Sequence, residues 1–393
     1  MSLVAGVMTQ SMNKNALKVP LSVLHIITDL QSGGAENMLL SLVREQRKLG
    51  LKTEIVALKN GGEIQKKLEN DGIRVIGLNI KGGIDLLGAI KAVCDLRKII
   101  KRDAPNVVQT WLYHADLIGG IVARLCGVKR IFWGIHNTRL AWKGSNKVTF
   151  LLPYLLAIFS WFVPTGIIAC AESAKKYHVK IGYCRRKINV IENGIDCNYF
   201  SADARKRNEW RRTNNIPEDL LCLGVIARND PIKGHQVLFR ALKKMLRCYP
   251  HIQWRCFLVG KGVESFAEAL KENELKDNVV LYGESNEIDK VLNGIDITVL
   301  PSLSEALPNV LVESISTGTI CVATDVGDVR NILDKYGILI PTNDPESLIQ
   351  GILTAKQIIE KSSFTNYKNQ MMESARARFD ISVVARKYLQ TWY

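Results

Sequence analysis

The feature that most limits the fold is a rhythm: short apolar runs rich in β-branched and aromatic residues alternate with helix-like stretches. Ser22–Thr28, Thr53–Ala57, Ile73–Leu78, Val107–Trp111, Arg130–Ile135 and Ile167–Ala171 read as strands, separated by helical segments such as Glu36–Leu49, Leu86–Lys101 and Ala115–Cys126. Strands buried on both faces and joined by helices form a parallel, doubly wound α/β sheet, whose ligands bind at the carboxyl ends of the strands. The rhythm pauses over Cys197–Leu220, a basic and polar passage that reads as helix-poor. It resumes with Leu221–Ala227, Trp254–Val259, Val279–Tyr282, Ile297–Leu300 and Thr319–Val322, and beyond Pro345 it turns helical as far as Tyr393. Two Rossmann-type halves joined near residue 197 are expected, which suits a chain of 393 residues at roughly 150 residues per domain.

Lys and Arg number 53 against 38 acids, a net charge of +15, so some partners are expected to be anionic. Nucleic acid, an acidic membrane surface and phosphorylated small molecules all qualify by charge. Aromatic residues make up only 7% and no nucleic-acid-binding motif is present, so no nucleic-acid partner is expected. The nine cysteines are scattered, odd in number and never C-x-x-C, which argues against a disulfide framework or structural zinc and for a reducing, cytoplasmic setting. Leu3–Met8 is too short for the apolar core of a signal peptide, so no export signal is expected.

Val148–Ala171 carries no charge over 24 residues, long enough on length alone to span a bilayer. Pro153, Pro164 and Gly166 interrupt it, and Pro164-Thr165-Gly166 reads as a turn between a helix near Phe150–Phe162 and a strand. Residues 141–187 hold Lys143, Lys147, Lys175, Lys176, Lys180, Arg185, Arg186 and Lys187 against the single acid Glu172, beside Phe150, Tyr154, Phe159, Trp161 and Phe162. Peripheral binding to anionic lipid and an ordinary solvated basic face both fit this pattern.

Three βα loops carry chemistry. Gly33 and Gly34 lie between the first strand and its helix, where free N–H groups attract phosphate, although the spacing is not G-x-G-x-x-G and a plain tight turn fits equally. Arg228 and Lys233 flank the loop after Leu221–Ala227 and could clamp a diphosphate; a merely basic surface loop is the plain alternative. In Pro301–Glu313, Glu305 precedes a helix and Glu313 lies inside it, with Pro308 suited to the first turn and the N–H groups of Asn309 and Val310 open to an anion. Carboxylates there suit sugar hydroxyls, while two ordinary helix-end acids remain the alternative. His136 ends a strand at the crevice side; His114 and His178 have weaker positions. No Ser-His-Asp order, H-E-x-x-H or Cys/His cluster points to hydrolysis or a metal.

Taken in order, Gly33-Gly34-Ala35-Glu36, His136, Asn193-Gly194-Ile195-Asp196, Arg228 with Lys233-Gly234, and the Glu305/Glu313 pair resemble the group 1, family 4 retaining glycosyltransferases, from about Val23 to Ile340. The resemblance implies a GT-B fold: two Rossmann-like domains (1–196, acceptor-binding; 197–374, nucleotide-sugar-binding) facing across a cleft, with a C-terminal helix, 375–393, crossing back. It implies that Glu305 contacts the donor sugar, Glu313 the ribose, and Arg228 and Lys233 the leaving diphosphate with the Asn309 and Val310 N–H groups. Gly33 and Gly34 would approach the same phosphates, and His136 the transferred sugar and acceptor. It implies no cofactor and no divalent metal, a UDP- or GDP-linked donor, and transfer of a hexosyl or N-acetylhexosaminyl group with retention. Family members often have Gly-Phe-Gly where Ala306-Leu307-Pro308 stands, so Leu307 would enlarge the donor wall and sugar selectivity does not transfer. Ser304–Leu311 resembles the variant in enzymes of surface polysaccharide, O-antigen and lipid-linked oligosaccharide synthesis. With the basic, apolar 141–187 segment this implies a glycan or polyprenyl-diphosphate-linked acceptor reached peripherally at the inner face of the membrane. A sugar phosphorylase or nucleotide-sugar epimerase on the same fold is the competing expectation.

Overall fold

The computed structural model describes residues 21–31, 33–80, 86–137, 147–272 and 274–393. Leu3–Met8 and positions 141–146, Lys143 among them, lie outside the described residues, as do the side chains of Lys147 and Phe150. Two parallel sheets form the frame. The first joins β1 (Ser22–Ile27), β2 (Lys52–Ala57), β3 (Val75–Gly77), β4 (Val107–Trp111), β5 (Arg130–Ile135), β6 (Gly166–Ala169) and β7 (Ile188–Val190) in the order β3-β2-β1-β4-β5-β6-β7. The second joins β8 (Leu221–Ile226), β9 (Trp254–Val259), β10 (Val279–Gly283), β11 (Ile297–Leu300), β12 (Ile320–Thr324) and β13 (Ile338–Ile340) in the order β10-β9-β8-β11-β12-β13. Each order reverses once, between β1 and β4 and between β8 and β11. The crevice of a doubly wound sheet opens at such a reversal.

β7 and β13 escape the sequence pattern. Each has three residues and closes one edge of its sheet, too short for an apolar run to stand out. The passage Cys197–Leu220, read as helix-poor, holds the helix Ala204–Thr213. Asp203 caps it, accepting from the N–H groups of Arg205 and Lys206 at 2.8 and 3.3 Å. Two of its basic residues are not solvated: Arg207 and Arg211 pair with Asp296 at 2.6 and 3.2 Å, and Trp210 between them is buried, while Arg205 and Arg212 stay exposed. That partner lies far ahead in the chain, where no local pattern can show it.

The uncharged run Val148–Ala171 divides into the helix Lys147–Phe159, with Pro153 inside it, and β6. Among the described residues no helix is long and apolar enough to cross a membrane.

Two helices close the chain, Phe364–Phe379 and Ile381–Trp392, with Asp380 between them. The first packs on the helix Asn309–Thr317 of the second half, the second on the helix Gly34–Lys48 of the first half. The chain changes sides at a backbone bridge, where Ile195 N–H donates to Phe379 O at 2.9 Å and Ile381 N–H to Ile195 O at 2.8 Å. Val384, Tyr388 and Trp392 share one core with Val23 and Ile27 of β1.

Candidate active site between the two sheets

The second half presents two loops at its β8/β11 reversal. After β8 the chain makes a single 3-10 turn, Pro231–Lys233, capped by Asp230, whose carboxylate accepts from Ile232 N–H at 3.1 Å. Gly234 then takes φ +72°, and a Cβ there would fall 1.9 Å from Pro301 O, so only glycine lets the two loops close up. This contact sets Lys233 against the β11 loop. Lys233 Nζ lies 2.8 Å from Glu305 Oε1, which also accepts from Ser302 Oγ at 2.7 Å. Both partners are largely buried, with side chains 19% and 9% exposed, so the carboxylate is held in one place and does not sample solvent. Arg228 is more open and pairs with Asp230 at 2.8 Å.

Pro308 caps the helix Asn309–Thr317 in an extended conformation. Asn309 and Val310 are its first two residues, so their N–H groups have no carbonyl one turn back to bind. Glu313 lies about one turn inside, part-buried, and desolvation pushes its carboxyl up to about 7. Leu307, expected to widen the donor wall, is buried in the core with Leu300 and Leu311.

In the first half Gly33 is the N-cap of the helix Gly34–Lys48, with φ −163°, ordinary extended backbone. A Cβ on Gly33 would meet Glu36 Oε2 at 2.3 Å, the end of a side chain that would have to move aside. Glu36 is buried beneath this helix start, and desolvation, with Asp29 adding to it, pushes its carboxyl up to about 7. His136 follows β5 and stacks on Trp111, ring centroids 4.9 Å apart. Neither of its ring nitrogens has a hydrogen-bond partner among the described residues, and burial pushes the imidazole down to about 4, which keeps it neutral. Trp111 is itself fixed, since its indole N–H donates to His25 Nδ1 at 3.1 Å, while His25 Nε2 bonds Gln46 Oε1 at 2.9 Å. Tyr388 lies parallel to the Trp111 ring, and Trp392 donates to Gln109 Oε1 at 3.2 Å, so the last helix braces the floor under His136. His178 has a structural place, bonding Tyr113 OH at 2.9 Å and Ala174 O at 2.7 Å.

The halves meet at these loops. Asn193, from the Asn193-Gly194-Ile195-Asp196 junction, donates through Nδ2 to Asn309 Oδ1 at 2.9 Å, and a Cβ on Gly34 would lie 3.7 Å from Asn309 Nδ2. The glycine start of one domain's first helix thus faces the helix that carries Glu313. Lys233 pairs with Glu305, and Gly34 faces Asn309 four residues further along that loop; Arg228 stands at the rim. Ser302 was missed, because a serine near a carboxylate carries no distinctive spacing; Asn193 stood in the junction motif with no role attached to it. Among the described residues no group of three His, Cys, Asp or Glu side chains could hold a metal ion.

Two parallel doubly wound domains facing each other through these loops make a GT-B fold. The chain belongs to the group 1 glycosyltransferases: residues 32–199 match a glycosyltransferase family 4 domain and residues 217–357 a group 1 glycosyl transferase domain. It is 27% identical over 281 residues to the Escherichia coli UDP-Gal:alpha-D-GlcNAc-diphosphoundecaprenol alpha-1,3-galactosyltransferase, covering 69% of this chain and 71% of that one. It is 22% identical over 342 residues to the O-antigen biosynthesis glycosyltransferase WclY of Escherichia coli, 86% of this chain and 89% of the other. Anabaena Alr3699/HepE, crystallised in complex with UDP, has the same fold, with a TM-score of 0.81 at 18% identity over 94% of this chain and 99% of that one.

Proposed function

We propose that this chain transfers a hexosyl or N-acetylhexosaminyl group, with retention and without a metal, from a UDP- or GDP-linked donor to a lipid-carrier-linked glycan in surface polysaccharide synthesis. The observation that carries the reading is the buried Lys233–Glu305 pair beside the open N–H groups of Asn309 and Val310. On this reading the domains divide at 196/197, and the crossing back to the first domain, expected from residue 375, falls at Asp380, after the helix Phe364–Phe379. Lys233, Arg228 and the helix start hold the donor diphosphate, Glu305 the sugar hydroxyls and Glu313 the ribose. As the bond to the anomeric carbon breaks, negative charge grows on the diphosphate and meets cations and dipoles already in place. Gly33 and Gly34 let the first domain's backbone approach the same oxygens. His136, neutral and with neither nitrogen hydrogen-bonded among the described residues, is suited to hydrogen-bond a sugar or acceptor hydroxyl, and the acceptor proton passes to the leaving phosphate on the same face.

The acceptor class rests on two supports. The Escherichia coli relative is named for a diphosphoundecaprenol acceptor. The first domain also exposes an apolar face: Leu151, Ile158, Trp161 and Phe162 are 61%, 64%, 57% and 75% exposed. Lys176, Lys180, Arg185 and Arg186 are exposed close by in sequence, whereas Lys187 is occupied with the carbonyls of Ser160, Trp161 and Pro164. Exposed apolar side chains with exposed cations near them in the chain suit an anionic lipid surface.

The test is incubation with UDP- and GDP-sugars, with and without polyprenyl-diphosphate-linked acceptors, in the presence of a chelator. Acceptor-dependent release of nucleoside diphosphate, with the product's anomeric configuration equal to the donor's by NMR, is expected. Donor turnover that needs inorganic phosphate, or epimerised donor without acceptor, would replace this reading with the phosphorylase or epimerase.

A further inference from the structure

The helix Glu172–Lys180 of the first domain has no side-chain cap of its own, since Ala171 stands at its N-cap. Its first two N–H groups, those of Glu172 and Ser173, donate instead to Asp328 Oδ2 and Oδ1 at 2.7 and 2.8 Å. Asp328 belongs to the second domain and is 3% exposed. Its own N–H donates to Ala306 O at 3.0 Å. The neighbouring Gly327, at φ +57°, lies so close beneath the same loop that a Cβ would fall 2.3 Å from Glu305 O. One residue thus holds the opposite domain with its side chain and the segment presenting Glu305 with its backbone.

We propose that Asp328 is a positioning residue that sets domain closure, registering Glu305 and Lys233 on Gly34 and His136. An aspartate suits this task because two oxygens meet two N–H groups and the negative charge faces a helix N-terminus. Burial makes the contact nearly all-or-none, because partial opening would strand both the carboxylate and the N–H groups before water reaches them. The role in turnover rests on the transferase reading above; the role in closure does not.

The test uses the full-length protein with substitutions on both sides of the contact. Asp328→Asn leaves one acceptor oxygen for two donors. Glu172→Pro deletes the partner N–H at the first helical position, where proline is tolerated, and Ala171 is already extended at φ −153° and ψ 150°, as a residue before proline requires. Glu172→Gln keeps that N–H and serves as the control. UDP and GDP affinity, melting temperature, kcat, KM and the distance between one spin label per domain are measured. Expected are nucleotide affinity within about threefold of wild type, and longer, broader inter-domain distances in both Asp328→Asn and Glu172→Pro. In both, kcat falls about tenfold or more, equivalent to about 1.4 kcal/mol; the double variant is no worse than the weaker single one, and Glu172→Gln behaves as wild type. Unchanged distances with kcat within threefold would overturn the proposal. So would a loss of nucleotide affinity parallel to the loss of turnover, which would make Asp328 a prop for the second domain alone. If the wild type transfers no sugar, the functional reading fails and the distance measurement still decides the closure role.

Discussion

Glu36→Gln tests the electrostatics of the first domain's helix start. The carboxyl titrates near 4.5 in an unfolded chain and at about 7 in this fold, because burial and Asp29 disfavour its charge. The folded state therefore holds the proton more tightly, so stability is highest below about pH 4.5, declines as pH rises toward 7, and levels off above it. The difference converts to about 3 kcal/mol of strain at pH 8. Glutamine keeps the shape and an acceptor oxygen without the charge. The variant should match wild type near pH 4 and be more stable at pH 8 by up to about 3 kcal/mol. At about 2.1 cal/mol/K per residue over 393 residues this is about 4 °C in melting temperature, if the chain melts as one unit. Denaturant titration and calorimetry at both pH values measure it. A difference that does not change with pH, or a wild type more stable than the variant at pH 8, would refute the reasoning.

Further expectations concern the site and the surface. Lys233→Met should lower kcat by at least a hundredfold and also cost about 3 kcal/mol of stability, since it strands Glu305; the Lys233→Met/Glu305→Gln pair should regain the stability and not the turnover. Gly234→Ala should cost about 2 kcal/mol or more in chemical denaturation, because the left-handed backbone and the Pro301 carbonyl leave no place for a Cβ. His136→Asn should lower kcat at least tenfold, and the wild-type pH–rate profile should lack an inflection near 6.5, because the imidazole is pushed down to about 4. Ile158→Asp with Phe162→Asp should abolish sedimentation with anionic vesicles while leaving the melting temperature within a few degrees, as both side chains are already in water.

The two sheets were legible because their strands are buried on both faces and announce themselves as apolar runs. Lys233 and Glu305 were legible as well, since each follows such a run at the end where ligands bind. What stayed hidden depends on distance along the chain. Arg207 and Arg211 look like solvated charge until Asp296 is folded beside them, and Asp328 looks like an ordinary turn acid until the helix at Glu172 is brought to it. Leu307 is a different case: nothing in the motif tells that the residue packs into the core with Leu300 and Leu311.

The bridge at Ile195 and Asp380 has a consequence for synthesis. The first sheet leaves the ribosome early, yet Val384, Tyr388 and Trp392 belong to its core, and Gln109 and Trp111 wait for them. The second sheet, complete by Ile340, can close on its own while that core is still open. The half that is translated first is therefore the last to be sealed. A nascent chain stalled before residue 380 should show a protease-resistant second domain beside a first domain whose floor under His136 is unbraced.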